Sequence, residues 1–296
     1  MSAAFVVQPS TAPLGNEISG LDISRGVDAE TFDRLKQVYA DKSVLVFRDQ
    51  TLTPEQHIAF SRGFGELEQH VVERYQLPGY PEIFRVSNIV ENGQRIGGSG
   101  EFWHTDLSYV ENPSRGSLLY AVEVPVRNNV VLGDTEFAST AAAYDALPDA
   151  MKKRLQGLRA LHRFGDVYAK VASLRGAAPT LSEGQKRKTP DVIHPIVITH
   201  AYSGRKSLFV NEGFTVSILG MAESEGADLL AELYAHCKRP EFVYRHRWRV
   251  GDLVMWDNWA TVHRGTGGYS AEERRLMHRT TLKSPLHFSQ LGAANG

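Results

Sequence analysis

The segment Phe102-Trp103-His104-Thr105-Asp106 carries a pattern with chemical potential. On a strand, residues two apart project to one face. His104 and Asp106 would then present an imidazole and a carboxylate side by side. One nitrogen and one oxygen donor suit Fe(II), Mn(II) or Zn(II). By itself the pair says little. With 11 His and 34 acidic residues in 296, about one His-x-Asp/Glu arises by chance, and this chain has one. A surface turn or a core-edge hydrogen bond would also account for it.

A second cluster follows the block Gly251-Asp-Leu-Val-Met-Trp256-Asp-Asn258, where His263 stands just beyond a turn. Arg274, Arg275 and Arg279 fall on or beside the next apolar run, Leu276–Leu282. Arg275 and Arg279 are four apart and share a strand face. Two guanidiniums near a candidate histidine ligand form an anchor for carboxylates, although a solvated Arg stripe is the plainer account. Taken in order, a His-x-Asp, a His about 160 residues later and an Arg soon after it match the two-His-one-carboxylate facial triad, which leaves open positions on iron.

The elements that must position these residues read mostly as strands. Asp28–Lys42 places Phe32, Leu35, Val38 and Tyr39 at helical spacing. Ser43–Phe47 is a short apolar run, read as a buried strand. Thr53-Pro54-Glu55-Gln56 carries a helix-start signature, with a capping residue, proline at the first position and a Gln to close the box. From Glu82 onward, runs rich in Val, Ile and aromatics alternate with Gly, Pro, Asn and Asp. These are Ile83–Ser87, Phe102–Tyr109, Ser117–Val124, Val130–Phe137, Val192–Thr199, Ser207–Val210, Glu241–Val250, Asp252–Asp257 and Leu276–Leu282. Helices are expected at about Ser139–Leu147, Asp149–Leu158 and Ala222–Cys237. Within Glu241–Val250, Phe242, Tyr244, His246, Trp248 and Val250 should face the core, and Arg245, Arg247 and Arg249 the solvent. The pattern is mainly β with flanking helices, a double-stranded β-helix (jelly roll, cupin-like) core. No linker-like shift divides residues 1–296, so one domain is expected. The polar stretch at about 165–190 reads as a lid or insertion loop.

Composition narrows the function classes. Hydrophobic residues make up 42% and charged residues 23%, which excludes a disordered chain. A net charge of −1 argues against a general nucleic-acid binder. No apolar stretch approaches a membrane span, and the N-terminus lacks the pattern of a secretory signal. The single cysteine, Cys237, allows no intrachain disulfide and is read as inert. A cytoplasmic protein, with no membrane or nucleic-acid partner, is the expectation.

Over nearly its whole length the chain resembles the taurine / 2,4-dichlorophenoxyacetate dioxygenase family of Fe(II)- and 2-oxoglutarate-dependent enzymes. The matches run in order through Ser43-Val-Leu-Val-Phe-Arg48, Gln56-His-Ile-Ala-Phe-Ser-Arg62-Gly-Phe-Gly65 and Trp103-His-Thr-Asp106. They continue through Gly133-Asp-Thr-Glu-Phe-Ala138, His194-Pro-Ile-Val and Gly204–Thr215. Glu241–Trp248, Trp256-Asp-Asn258 and Arg274-Arg-Leu-Met-His-Arg-Thr280 complete them.

The resemblance implies His104, Asp106 and His263 as iron ligands. It implies Arg275 as the partner of the C5 carboxylate of 2-oxoglutarate, with Thr135 donating to the same carboxylate. Trp256, on the strand approaching His263, would shape that pocket. Arg279 matches the position that meets the substrate's anionic group. His70 lies in a loop where taurine enzymes carry a sulfonate-contacting histidine; an exposed loop histidine is the alternative. The spacing from His263 to Arg275 is one residue longer than in taurine-type enzymes, so Arg275 is placed by its local motif, with Arg274 expected on the other face. The Asn that taurine enzymes carry before their His-x-Asp has no counterpart at Ser99-Gly100-Glu101-Phe102, which speaks against taurine itself. Asp257 and Asn258 are read as organising the turn.

The implied reaction consumes 2-oxoglutarate and O2, yields succinate and CO2, and hydroxylates an aliphatic C–H of a small anionic substrate. That substrate would be a sulfonate, sulfate ester, aryloxyalkanoate or other carboxylate. Because Asp106 supplies the carboxylate ligand that halogenating relatives lack, hydroxylation is expected. A sulfur or oxygen leaving group on the hydroxylated carbon would turn it into C–S or C–O cleavage. A homodimer or homotetramer is the usual assembly in the family. Two rivals stand beside this reading: a metal-dependent hydrolase using the same three ligands, and a non-catalytic jelly-roll binder. Neither needs the Thr135–Arg275 anchor together with all three ligands.

Overall fold

Alternation with period two builds the central sheet. In the strand Val44–Phe47, Val44 and Val46 pack toward Phe137, Val254 and Trp256. Leu45 and Phe47 pack on the opposite face with Leu35, Tyr39, Ile58 and Phe60. A strand buried on both faces reads as an unbroken apolar run. These features come from a computed structural model, which describes residues 5–70, 72–97, 100–165 and 183–292.

Val44–Phe47 belongs to an eight-stranded sheet. From edge to edge it runs Val6–Gln8, Asn16–Ser19, Val44–Phe47, Leu253–Asp257, Gly116–Glu123, Leu276–Leu282, Tyr80–Ser87 and Gln76–Leu77. Only Asn16–Ser19 and Val44–Phe47 pair in parallel. Chain-distant strands therefore lie side by side, as a jelly roll requires. A smaller sheet of Val243–His246, Thr135–Ser139 and Thr261–Gly265 packs against it through Phe137. The cavity described below opens between residues of the two sheets.

Helices cover the outer face of the large sheet. Ala29–Lys42 starts where the Asp28 side chain accepts from the Thr31 N–H, and it buries Leu35 and Tyr39. Pro54–Arg62 begins with the full Thr53–Gln56 capping box and buries Ile58 and Phe60. Each such side chain contributes about 1.5–3 kcal/mol on burial. Glu223–Cys237 lays Leu229, Leu230 and Leu233 against Ala160, Ile196, Leu208 and Ile218. No helix among the described residues is long and apolar enough to cross a membrane.

Three strand expectations are corrected. Phe102–Tyr109 is not a strand: His104 makes an isolated bridge with His263, and the chain turns at Leu107, whose φ is 56°. Side-chain hydrogen bonds, rather than a ladder, hold this segment. Val130–Phe137 splits into Val130–Val131 and Thr135–Ser139 around Gly133, whose φ is 75°. Glu241–Val250 shortens to Val243–His246: a 3-10 turn at Pro240–Phe242 takes its start, and the chain leaves the strand after His246 to turn at Val250 and Gly251, whose φ is 85°. Phe242, His246 and Trp248 are buried as expected, but Val250, beyond the strand, is exposed. Most of the expected lid at 165–190 lies outside the described residues; its described end forms the helix Glu183–Lys188.

Candidate active site

His104, Asp106 and His263 converge, with one potential ligand atom from each lying within 4.8 Å of the others. All three are buried. His263 comes from the strand Thr261–Gly265, and His104 is tied to it by reciprocal backbone bonds of 3.0 and 2.7 Å. Asp106 follows two residues later, where its amide donates to Asn258 Oδ1 at 3.4 Å. Asn258 also accepts from Trp256 Nε1 at 3.0 Å and donates to Ser114 Oγ at 2.8 Å. Thr105 Oγ1 donates to the Asn258 carbonyl at 2.7 Å. Asn258 thus fastens the Asp106 loop to the end of the central strand. Neighbouring Asp257 is itself locked by a buried ion pair with Arg115 and by His200 Nε2 at 2.9 Å.

The donor atoms are oriented. His104 Nδ1 lies 2.7 Å from the Phe102 carbonyl oxygen. That contact requires the proton on Nδ1 and leaves the Nε2 lone pair facing Asp106 and His263. Nε2 of His104 stands 3.8 Å from Asp106 Oδ1, and Nε2 of His263 stands 4.0 Å from Oδ2. The ring of His263 packs between Phe137 and Trp256. Gly213 lets the neighbouring backbone approach: a Cβ there would sit 2.6 Å from the Phe102 ring and 3.0 Å from His104 Cβ.

Electrostatics favour a carboxylate between two neutral imidazoles. Burial alone would raise the Asp106 carboxyl, but Arg279, His263, His104 and the Ser117 hydroxyl outweigh it and hold it well below its ordinary range. Ser117 Oγ donates to Oδ2 at 2.7 Å and Arg279 Nη1 donates to Oδ1 at 2.6 Å. Burial pushes His104 and His263 down, so neither is charged at neutral pH.

One cavity of about 240 Å³ gathers the expected iron ligands and the residues expected to meet co-substrate and substrate: His70, His104, Asp106, Thr135, Trp256, His263, Arg275 and Arg279. Arg275 lies just before the strand Leu276–Leu282. Its backbone is pinned by Asn88 and Ser87 at 2.8 Å each. The side chain is buried and its Nε has no partner among the described residues. Tyr269 and Glu101 give it electrostatic support. Arg274 points the other way and pairs with Glu123 at the surface, as alternation requires. Thr135 Oγ1 accepts from Trp248 Nε1 at 2.9 Å, which leaves its own proton to donate. Gly133 makes the approach here possible, since a Cβ would lie 2.8 Å from the Tyr269 ring and 3.4 Å from Arg275 Nε.

Arg279 sits on the strand itself, its guanidinium 4.8 Å from the centre of the Phe84 ring. Its Nε is unpartnered among the described residues. His70 packs on Phe84 with ring centres 4.2 Å apart and planes tilted by 43°, and it accepts from the Val72 N–H at Nδ1, 3.0 Å away. Burial, then Arg279, lowers its pKa to about 3. His70 is therefore neutral with its proton on Nε2.

Sequence reasoning passed over Asn258 as more than a turn residue. It also missed Ser117 as a partner of Asp106, and the cavity walls Tyr109, Phe84, Phe214 and Tyr269. Only Tyr269 carried a local signal, standing between the Gly267-Gly268 pair and Arg275.

The family model described as "Taurine catabolism dioxygenase TauD, TfdA family" matches residues 7–281. The chain belongs to the TauD/TfdA family. It is 40% identical over 277 residues to the alpha-ketoglutarate-dependent 2,4-dichlorophenoxyacetate dioxygenase of Cupriavidus pinatubonensis, covering 90% of this chain and 93% of that one. It is 32% identical over 288 residues to the (S)-phenoxypropionate/alpha-ketoglutarate-dioxygenase of Sphingobium herbicidovorans, covering 96% and 97%. A solved taurine dioxygenase from Burkholderia xenovorans superposes with a TM-score of 0.78 at 31% identity, covering 95% of this chain and 90% of that one. This TauD/TfdA enzyme is thus a 2-oxoglutarate-dependent dioxygenase using Fe(II) and O2. The residues fit that requirement: two imidazoles and a carboxylate form a hard-to-borderline donor set. The under-paired buried guanidinium of Arg275 calls for an anion.

Proposed function

We propose that this dioxygenase hydroxylates the carbon between the ether oxygen and the carboxylate of a small aryloxyalkanoate. The observation that carries this reading is one cavity with two guanidiniums and an aromatic wall. Arg275 and Thr135 stand at one part of it, Arg279 and His70 at another, and Phe84, Tyr109, Phe164 and Phe214 line it. Similarity to dioxygenases of 2,4-dichlorophenoxyacetate and phenoxypropionate supports the same substrate class.

His104, Asp106 and His263 would hold Fe(II), and Arg275 with Thr135 would hold the C5 carboxylate of 2-oxoglutarate. Fe(II) bound with 2-oxoglutarate supplies, on meeting O2, the power to oxidise an unactivated C–H. The chain's residues orient, charge and dry the site. The Phe102 carbonyl orients the His104 ring, and Asn258 holds the backbone amide of Asp106. Trp256 and Phe137 wall off water beside His263. Arg279 offers a guanidinium to the substrate carboxylate, and His70 adds a neutral N–H. Phe84, on which both Arg279 and His70 pack, sets an aromatic surface beside the anion. Hydroxylation at that carbon gives a hemiacetal, which releases the phenol and leaves an oxo acid, so the C–O bond is cleaved. The whole chain acts as one dioxygenase domain, and assembly as a homodimer or homotetramer is carried over from the family resemblance.

Succinate release tests this with phenoxyacetate, an alkyl sulfate and taurine offered separately, under Fe(II), 2-oxoglutarate and air. Phenol should appear with phenoxyacetate in step with succinate. Succinate release driven by taurine or the sulfate, with none from phenoxyacetate, would replace this substrate class. Light scattering of the same preparation reads the assembly.

A further inference from the structure

Tyr109 lines the cavity three residues after Asp106 but belongs to neither the donor set nor the Arg275 anchor. It is only 3% exposed. Its ring packs on Phe164 at 4.4 Å and on Phe214 at 4.7 Å. The hydroxyl has no hydrogen-bond partner among the described residues, yet it is not sealed among protein atoms. A buried phenol almost always finds a partner. The cavity is where this one must find it.

Tyr109 packs on the aromatic rings, where an aryl group would lie, and it lines the same cavity as Arg279 and Asp106, whose charges both act on its phenol. The substrate's carboxylate has its own donors in Arg279 and His70. The atom left between ring and carboxylate is the bridging oxygen, an acceptor only, facing a donor that lacks an acceptor. We propose that the Tyr109 hydroxyl donates a hydrogen bond to the ether oxygen of the substrate, making Tyr109 a specificity-determining residue for aryl ethers. This assignment rests on the aryloxyalkanoate reading above.

The test compares binding, so that the differing C–H reactivity of the two ligands plays no part. Wild type and Tyr109→Phe are loaded anaerobically with Fe(II) and 2-oxoglutarate. Phenoxyacetate and 3-phenylpropionate, in which CH2 replaces the oxygen, are then titrated against the visible absorption of the complex. Wild type should bind the ether about three- to tenfold more tightly than the methylene analogue, because the analogue leaves a buried hydroxyl unpaired. Tyr109→Phe should lose that preference while its 2-oxoglutarate affinity stays unchanged. An equal ether preference in both proteins overturns the assignment. A wild-type ratio near one overturns it as well, whatever the variant does. If wild type forms the visible complex but binds neither ligand while an alkyl sulfate binds, the aryloxyalkanoate reading fails and this assignment fails with it.

Discussion

Replacing Arg275 by Met should separate two energies that a buried guanidinium carries with opposite sign. In the ligand-free protein Arg275 is buried, its Nε is unpartnered among the described residues, and burial pushes its pKa down. Exchanging an imperfectly paired buried charge for an apolar chain of similar volume stabilises by about 1–4 kcal/mol. Tyr269 and Glu101 offset part of the cost, which places the gain near the low end, at about 1–2 kcal/mol. In a chain of this size that is an upward Tm shift of roughly 2–4 °C. The co-substrate pays the opposite way. Two charge-assisted hydrogen bonds to its C5 carboxylate, at about 1.5–3 kcal/mol each, sum to at least about 3 kcal/mol. Affinity for 2-oxoglutarate should therefore fall by about 100-fold or more. Thermal melts of the ligand-free proteins and anaerobic titration with Fe(II) and 2-oxoglutarate read the two effects separately. A variant that melts 5 °C lower and binds 2-oxoglutarate within about threefold of wild type would refute the reasoning and make Arg275 a structural residue.

Arg279→Ala should raise the substrate KM by at least about 30-fold while the 2-oxoglutarate KM stays within about threefold, since one charge-assisted contact is lost; equal effects on both would remove Arg279 from the substrate. Asn258→Ala leaves Trp256 Nε1 without its acceptor and the Asp106 amide without its tether. It should cost about 2–4 kcal/mol in urea unfolding and weaken Fe(II) binding by about 10–100-fold; a variant with wild-type metal affinity would show that the tether is not needed. Stability should also fall with acid. His57 and His194 are held near about 3 and about 4, mainly by burial. The unfolded chain protonates both near pH 6.5, so it binds more protons below that value. Stability is then lost as pH drops from about 6.5 toward 4, by up to about 1.4 kcal/mol per pH unit for each histidine. Urea midpoints at pH 7 and pH 5 check the slope, and identical midpoints would contradict it.

Much of the scaffold was legible because local rules and tertiary structure agree. Leu276–Leu282 has the bounds its apolar run suggests, and Thr53-Pro54-Glu55-Gln56 starts its helix by the expected box. Alternation correctly set Arg274 outward and Arg275 toward the cavity. The same rule gave a wrong path to a right neighbourhood at His104 and Asp106. They do not share the face of a strand. A bridge to His263, the turn at Leu107 and the Asn258 tether bring them together. Such contacts join residues about 150 positions apart and leave no periodic trace in either segment. Asn258 and Ser117 went unread for that reason: each acts through a partner that is near only after the sheet has formed. Val250 fails differently, because the strand ends at His246 and the chain turns at Val250 and Gly251, so the alternation that would have buried it has already stopped.

The central claim is that His104, Asp106 and His263 hold Fe(II) with 2-oxoglutarate chelated beside them. Anaerobic addition of Fe(II) and then 2-oxoglutarate to the metal-free protein tests it most directly. The account predicts a visible metal-to-ligand charge-transfer band that saturates at one equivalent per chain and is absent in a folded His104→Ala variant. A folded wild-type protein that binds Fe(II) yet shows no band, or a band undiminished in His104→Ala, would contradict it.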